Sequence, residues 1–312
     1  MKLKKPKFWD KKSKFDYKAI LLLPITLIVL LVIFLKKKIT KVYDFKIPII
    51  CVGNIYIGGT GKTPTSIFLA DELEKLNYKP VIIKKYYKNH ADEHNLIKSR
   101  NKNLILCNNR IEGINDAYND NFKTVILDDG MQDYKIKKDL NIVCFHQNQQ
   151  IGNGFVLPSG PLREDLNALK NVDIVLINGK KDNIFEKKLL SINNRLDIFY
   201  SYYNPINIDQ FKNHNLLALA GIANPENFFM LLENNNLVVK KKFFFPDHYE
   251  FTKKEIQEIA NIADKNNLKI IMTEKDFHKI HKYNLEKMNY LKISLEIFDK
   301  DKFIKRVKKI YE

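Results

Sequence analysis

Apolar residues fall along this chain in short continuous runs separated by stretches of helical period, and that alternation sets the expected fold. Ile47–Gly53, Pro80–Ile83, Leu104–Cys107, Thr124–Leu127, Asn141–Phe145 and Asp173–Ile177 are mostly apolar runs with the length and continuity of strands buried on both faces. Thr63–Asn77 and Arg110–Asn119 have helical spacing, whereas Lys84–Ile97 is polar and reads as irregular. Strand and helix patterns in this order predict an α/β fold built on a doubly wound parallel sheet. Ile198–Tyr203 is aromatic and extended and runs into Asn204-Pro205, where a domain boundary is expected. A second alternation starts at Leu216–Ala220. It continues with a helix over Pro225–Glu233, a strand over Leu237–Phe245, a helix over Lys254–Asn266, a strand over Leu268–Met272 and a helix from Lys275. One strand over Tyr290–Ile297 and a last helix close it. Residues 39–204 therefore read as the principal domain and 205–312 as a smaller α/β lobe.

The first 38 residues follow another pattern. Residues 1–18 carry eight lysines against two acids, then Ala19 to Leu35 run without a charge, interrupted only by Pro24 and Thr26, and Lys36, Lys37 and Lys38 close the run. A secretory signal would have a shorter apolar core and a small-residue cleavage site. As a helix the run is about 26 Å long, slightly under the ~30 Å of a hydrocarbon core. An N-terminal membrane helix is expected, either spanning with snorkelling lysines or lying partly inserted in the interface. Lysines on both sides leave its orientation open.

Composition changes this picture little. A chain that is 45% hydrophobic buries a real core, which excludes global disorder. The net charge of +17 comes mostly from lysines spread along the chain, and an anionic membrane or a phosphorylated substrate accounts for it as well as nucleic acid does. With no groove-reading motif, nucleic acid is not an expected partner. Cys51, Cys107 and Cys144 sit in apolar runs at no metal-ligand spacing and read as buried thiols of a reducing compartment.

The chemistry concentrates where the first strand ends. Val52-Gly53-Asn54 leads into Gly58-Gly59-Thr60-Gly61-Lys62-Thr63-Pro64, a glycine-rich turn that opens a helix. Glycines let backbone N–H groups close on phosphates, Lys62 reaches the β/γ oxygens, Thr63 offers a hydroxyl to Mg²⁺, and the helix N-terminus adds partial positive charge. The usual glycine five residues before Gly61 is replaced by Tyr56. Thr124–Leu127 ends on Asp128-Asp129, and a buried strand ending in acid beside a phosphate loop is where a Mg²⁺-ordering carboxylate belongs. ATP and Mg²⁺ are thus the expected cofactors of a P-loop NTPase-like domain. An ATP requirement places everything after residue 38 in the cytoplasm.

Further polar clusters interrupt the apolar pattern: Asp128-Asp129-Gly130-Met131-Gln132, Leu157 to Glu164, Gly221 to Pro225, Phe245-Pro246-Asp247-His248-Tyr249 and Thr273-Glu274-Lys275-Asp276. Singly each suits a turn or a helix cap. In this order, with the phosphate loop and the Phe8-Trp9 start, they resemble the tetraacyldisaccharide 4′-kinase family of lipid A biosynthesis nearly end to end. The resemblance implies a kinase at the inner membrane, with its catalytic domain on the cytoplasmic face. It would move the γ-phosphoryl of ATP to the 4′-hydroxyl of a tetraacyldisaccharide 1-phosphate held in a cleft between two lobes. Lys62 and Thr63 would hold phosphates and Mg²⁺, and Asp128 and Asp129 would order metal and nucleotide. Gln132 and Arg163 would lie in the cleft, with Glu164 a further metal partner. His248 would come from the second lobe, oriented and activated by Asp92 of the first, and a monomer is expected. The chain departs from the family after its second strand. Where the family has Ser-Arg-Gly-Tyr-Gly, this sequence has Lys84-Lys85-Tyr86-Tyr87-Lys88, with both glycines gone and Asp92 arriving early. Lys85 replaces an arginine's charge but not its bidentate fork.

One other class of function suits the loop: a membrane-tethered ATPase of the partitioning or maturation type. Such proteins usually carry another lysine just before the glycines, where this chain has Ile57.

Overall fold

The computed structural model describes residues 6–10, 16–87, 91–100, 102–247, 249–283 and 287–312. The chain forms two compact units. The larger comprises Leu3–Tyr86, Lys102–Tyr202 and Leu295–Glu312; the smaller is built mainly from Tyr87–Asn101 and Tyr203–Ser294.

The core of the larger unit is a run of parallel strands. Ile49–Gly53 (β1), Pro80–Lys85 (β2), Leu104–Cys107 (β3), Thr124–Asp128 (β4), Leu140–His146 (β5), Ile174–Asn178 (β6) and Asp197–Pro205 (β7) pair in the order β7-β6-β5-β1-β4-β2-β3. Every pair in that series is parallel. β1 and β4 are buried at every residue, as strands covered on both faces must be. The helix Lys62–Lys75 turns Phe68, Leu69, Ala70 and Leu73 inward, which fixes its start against β1. Burial of each large side chain there contributes about 1.5–3 kcal/mol.

The apolar N-terminal run is not one helix. Tyr17–Leu21 (α1) ends at Leu22, and Leu23–Ile39 (α2) begins with Pro24 in its first turn, where a missing N–H costs nothing. Among the described residues no helix is long and apolar enough to cross a membrane, so the spanning form of the expected N-terminal helix is not found. One side of α2 is tied to the body. Thr26 donates to Ser159 Oγ at 2.8 Å, and Val29 and Leu30 pack on the core around Phe145. The other side leaves Leu27, Ile28, Leu31, Val32 and Phe34 more than half exposed.

The smaller unit has its own parallel sheet, Met288–Leu291 (β11), Lys269–Thr273 (β10), Asn215–Ala220 (β8) and Val238–Phe244 (β9), paired in that order. Two expectations are corrected here. The single strand Tyr290–Ile297 is two strands, β11 and Ile293–Ile297 (β12), and β12 joins the eight-stranded sheet beside β7. The break is at Lys292, whose carbonyl accepts from Ile206 N and whose N–H donates to Asn207 Oδ1, both at 2.8 Å. The last helix, Lys300–Lys308, accordingly belongs to the larger unit. The polar stretch after β2 is the other correction. Ala91–Ser99 form a helix (α4), and it packs within the smaller unit against Glu274–Ile280 (α9). Tyr87–Asn101 and Tyr203–Ser294 thus fall in the smaller unit, and Leu295–Glu312 in the larger.

Candidate functional site

β1 ends at Gly53, and the chain turns through Asn54–Gly61 to open Lys62–Lys75 (α3). Gly58 and Gly61 have φ of 102° and 97°, where a Cβ is strained. Gly61 is the residue before the helix, so Lys62 and Thr63 stand at its positive end. Gly59 is exposed at the tip and Thr60 is buried. Asn54 braces the loop from below. Its Nδ2 donates to Gly58 O at 3.1 Å and to Thr60 Oγ1 at 2.9 Å, and its backbone carbonyl accepts from Gln132 Nε2 at 3.1 Å. Tyr56, in place of the usual first glycine, is fully buried and donates its hydroxyl to Asp10 Oδ1 at 2.7 Å. It is outside the positive-φ positions, so a side chain is tolerated there and the turn begins later, at Gly58.

The acid end of β4 faces this loop, because β1 and β4 are adjacent. Asp128 has no exposed surface. Its Oδ2 accepts from the Thr63 hydroxyl at 2.9 Å and forms an ion pair with the Lys84 ammonium of β2. Among the described residues its Oδ1, which is buried, has no hydrogen-bond partner. Arg110 donates to the carbonyls of Asp128 and Asp129 at 3.1 and 2.8 Å and so fixes a turn in which Asp129 has φ of 56°. Asp129 Oδ1 accepts from Arg163 Nη1 at 2.8 Å and lies 3.7 Å from Lys62 Nζ. Burial pushes the Asp129 carboxyl up, but the Lys62, Arg163 and Lys84 cations outweigh it and hold the group below its ordinary range.

Gln132 and Glu164 extend the network. Gln132 Oε1 accepts from Arg163 Nη1 at 3.3 Å, and Gln132 Nε2 donates to Glu164 Oε1 at 3.0 Å. Glu164, almost fully buried, pairs through Oε2 with Lys37 of α2. Lys62, Thr63, Asp128, Asp129, Gln132, Arg163 and Glu164 thus share one hydrogen-bonded and ionic network within the larger unit. Glu164, expected to add a metal ligand, faces Lys37 and Gln132. Among the described residues no group of three or more His, Cys, Asp or Glu could hold a metal ion.

Asp92 lies in the smaller unit, on the first turn of α4, not in the domain expected for it. It is buried, 3.6 Å from Lys275 Nζ and 3.5 Å from Lys279 Nζ. Lys275 also lies 3.0 Å from Glu93 Oε1 and 3.6 Å from Asp247 Oδ1. Burial alone lowers the Lys275 pKa, but the three carboxylates outweigh it and raise the value. His248 itself is outside the described residues. Sequence reasoning missed Lys84, Arg110, Lys275 and Lys279 as site residues. A lysine ending an apolar strand and the Lys275 of an otherwise noted polar cluster were the available signals.

A buried strand, a glycine turn and a helix N-terminus facing a buried acid on the neighbouring strand define a phosphate-loop α/β protein. Within that class the match is specific: the family model of tetraacyldisaccharide-1-P 4′-kinase covers residues 18–312. The chain belongs to that family. It is 43% identical to the tetraacyldisaccharide 4′-kinase of Pelagibacter ubique, over 100% of this chain and 99% of that protein. It is 33% identical to that of Rickettsia bellii, over 90% of each. Among solved structures, LpxK of Aquifex aeolicus, described as an apo form in complex with ATP, superposes with a TM-score of 0.72 at 23% identity. The match covers 94% of this chain and 99% of that one. At that identity the likeness bears on the fold.

Proposed function

We propose that this chain transfers the γ-phosphoryl of ATP to the 4′-hydroxyl of a tetraacyldisaccharide 1-phosphate, a step of lipid A biosynthesis. It would do so as a monomer on the cytoplasmic face of the inner membrane. The observation that carries the reading is the phosphate loop braced against Asp128 and Asp129 in a chain that matches the 4′-kinase family over nearly its whole length.

The parts suit phosphoryl transfer, in which catalysis is positioning and charge stabilisation. The loop amides and the α3 N-terminus cradle the phosphates. Lys62 and Arg163, both on Asp129, supply positive charge beside them. Mg²⁺ fits the residues present: the buried Asp128 Oδ1 has no partner among the described residues, and the Thr63 hydroxyl lies on the same carboxylate. Thr63 and Asp128 would hold the ion, which takes few protein oxygens and otherwise phosphate and water. When bound it neutralises charge on the β- and γ-phosphates. Asp129 then holds Lys62 and Arg163 in place, and His248, with Asp92, is assigned to the proton of the acceptor hydroxyl.

The bare apolar side of α2 between lysine clusters supports membrane docking in the interface. The deciding experiment incubates purified protein with ATP, Mg²⁺ and tetraacyldisaccharide 1-phosphate and measures the lipid by mass spectrometry. A second phosphate on the lipid is expected. ATP hydrolysis that proceeds equally without the lipid, with no phosphorylated lipid, would sink the kinase reading and favour a tethered ATPase.

A further inference from the structure

The larger unit carries a buried ion pair beside the phosphate loop, between Lys84 and Asp128. Lys84 is the last residue but one of strand β2, and the parallel register of β2 with β4 sets it opposite Asp128. Both side chains are buried, Lys84 with 5% of its surface exposed and Asp128 with none, and the ammonium is paired with Asp128 Oδ2. The Thr63 hydroxyl shares that oxygen from the first turn of the phosphate-loop helix. A buried carboxylate without a partner is strongly disfavoured, so in most settings such an acid waits for its metal at a penalty. Here a fixed cation is already in place.

The charges near the loop make the consequence concrete. Without Lys84, a metal-free site would present a bare Asp128 anion toward incoming phosphates, opposing Lys62. With Lys84 the Asp128 charge is compensated while Oδ1 stays available on its other side. We propose that Lys84 is a positioning residue that serves as a built-in counter-cation of Asp128. It keeps that carboxylate and Thr63 in the nucleotide-ready arrangement without metal, and so lets the loop bind metal-free nucleotide. The inference rests on the reading of the loop as the ATP site, and the test separates the two.

ATP binding is measured by calorimetry in excess Mg²⁺ and in EDTA, for the full chain and for Lys84→Gln and Lys84→Arg. The wild-type protein is expected to bind ATP in EDTA within about tenfold of its affinity in Mg²⁺. One lost charge-assisted contact is worth roughly a factor of ten or more. Lys84→Gln should therefore lose on the order of tenfold more affinity in EDTA than in Mg²⁺, and Lys84→Arg should restore most of it. A purely structural role would weaken both conditions by the same factor, and that result overturns the proposal, as does an unchanged affinity in both. Should Lys84→Gln fail to fold, the wild-type pair still decides: metal-free affinity about a hundredfold or more below that in Mg²⁺ overturns it. Absence of ATP binding by the wild type in either solution would instead overturn the nucleotide-site reading on which this one stands.

Discussion

Asp129 shows how much chemistry one side chain organises. It sits in a left-handed conformation that Arg110 secures through the backbone carbonyls of Asp128 and Asp129. From there one oxygen takes both the Arg163 guanidinium and the Lys62 ammonium. Because these cations keep the carboxyl ionised well into acid, its charge is present across the neutral range. Removing it would release two cations from fixed positions, and removing Lys62 would delete charge beside the transferring group. Lys62→Ala and Asp129→Ala are each expected to lower kcat by on the order of a hundredfold or more while the protein stays folded. Turnover measured at saturating ATP and Mg²⁺, with circular dichroism on the same samples, checks this. Wild-type rates in either variant would remove the loop from the mechanism.

At the scale of elements, α2 is the clearest division of labour. One side is pinned by the Thr26–Ser159 hydrogen bond and the Lys37–Glu164 ion pair, and that pair connects the helix to Gln132, Arg163 and Asp129. The opposite side is apolar and bare. Leu27, Leu31 and Phe34 follow one another at helical spacing on that side, all more than half exposed. Each buries apolar area on insertion worth about 1.5–3 kcal/mol, so replacing all three with serine should weaken vesicle binding a hundredfold or more. The apparent KM for the lipid should rise more than that for ATP. Flotation with liposomes and paired kinetics measure both, and a triple variant that still floats in high salt would show that another surface holds the membrane.

For the whole molecule, the path of the chain matters more than its length. The chain leaves the larger unit after β2 and returns to it at β3, and the helix between, α4, packs against α9 of the smaller unit. Arg100, just past α4, donates to the Ile293 carbonyl and pairs with Glu274, and Lys275 and Lys279 face Asp92. These ion pairs tie α4 to α9. Native-state hydrogen exchange should therefore show the amides of Ala91–Ser99 opening with the same denaturant dependence as those of Glu274–Ile280. Opening of α4 together with β2 or β3 would show that the helix follows its neighbours in sequence.

Much of this was legible in the chain. The alternation of buried strands and helices, the glycine turn before Lys62 and the acids at the end of β4 are local patterns, written within a few residues of one another. Burial on both faces requires continuous apolar strands, and a close phosphate requires glycine. What the tertiary structure alone decided involves distant partners. Lys84 and Asp128 are 44 residues apart, and only the register of β2 on β4 makes them neighbours. The allegiance of α4 rests on charges near residues 274–279. The split between β11 and β12 rests on Ile206 and Asn207 capturing the backbone of Lys292. Local spacing determines which elements form. Which side chains meet is set by how those elements pair and pack, and no periodicity within one element records that.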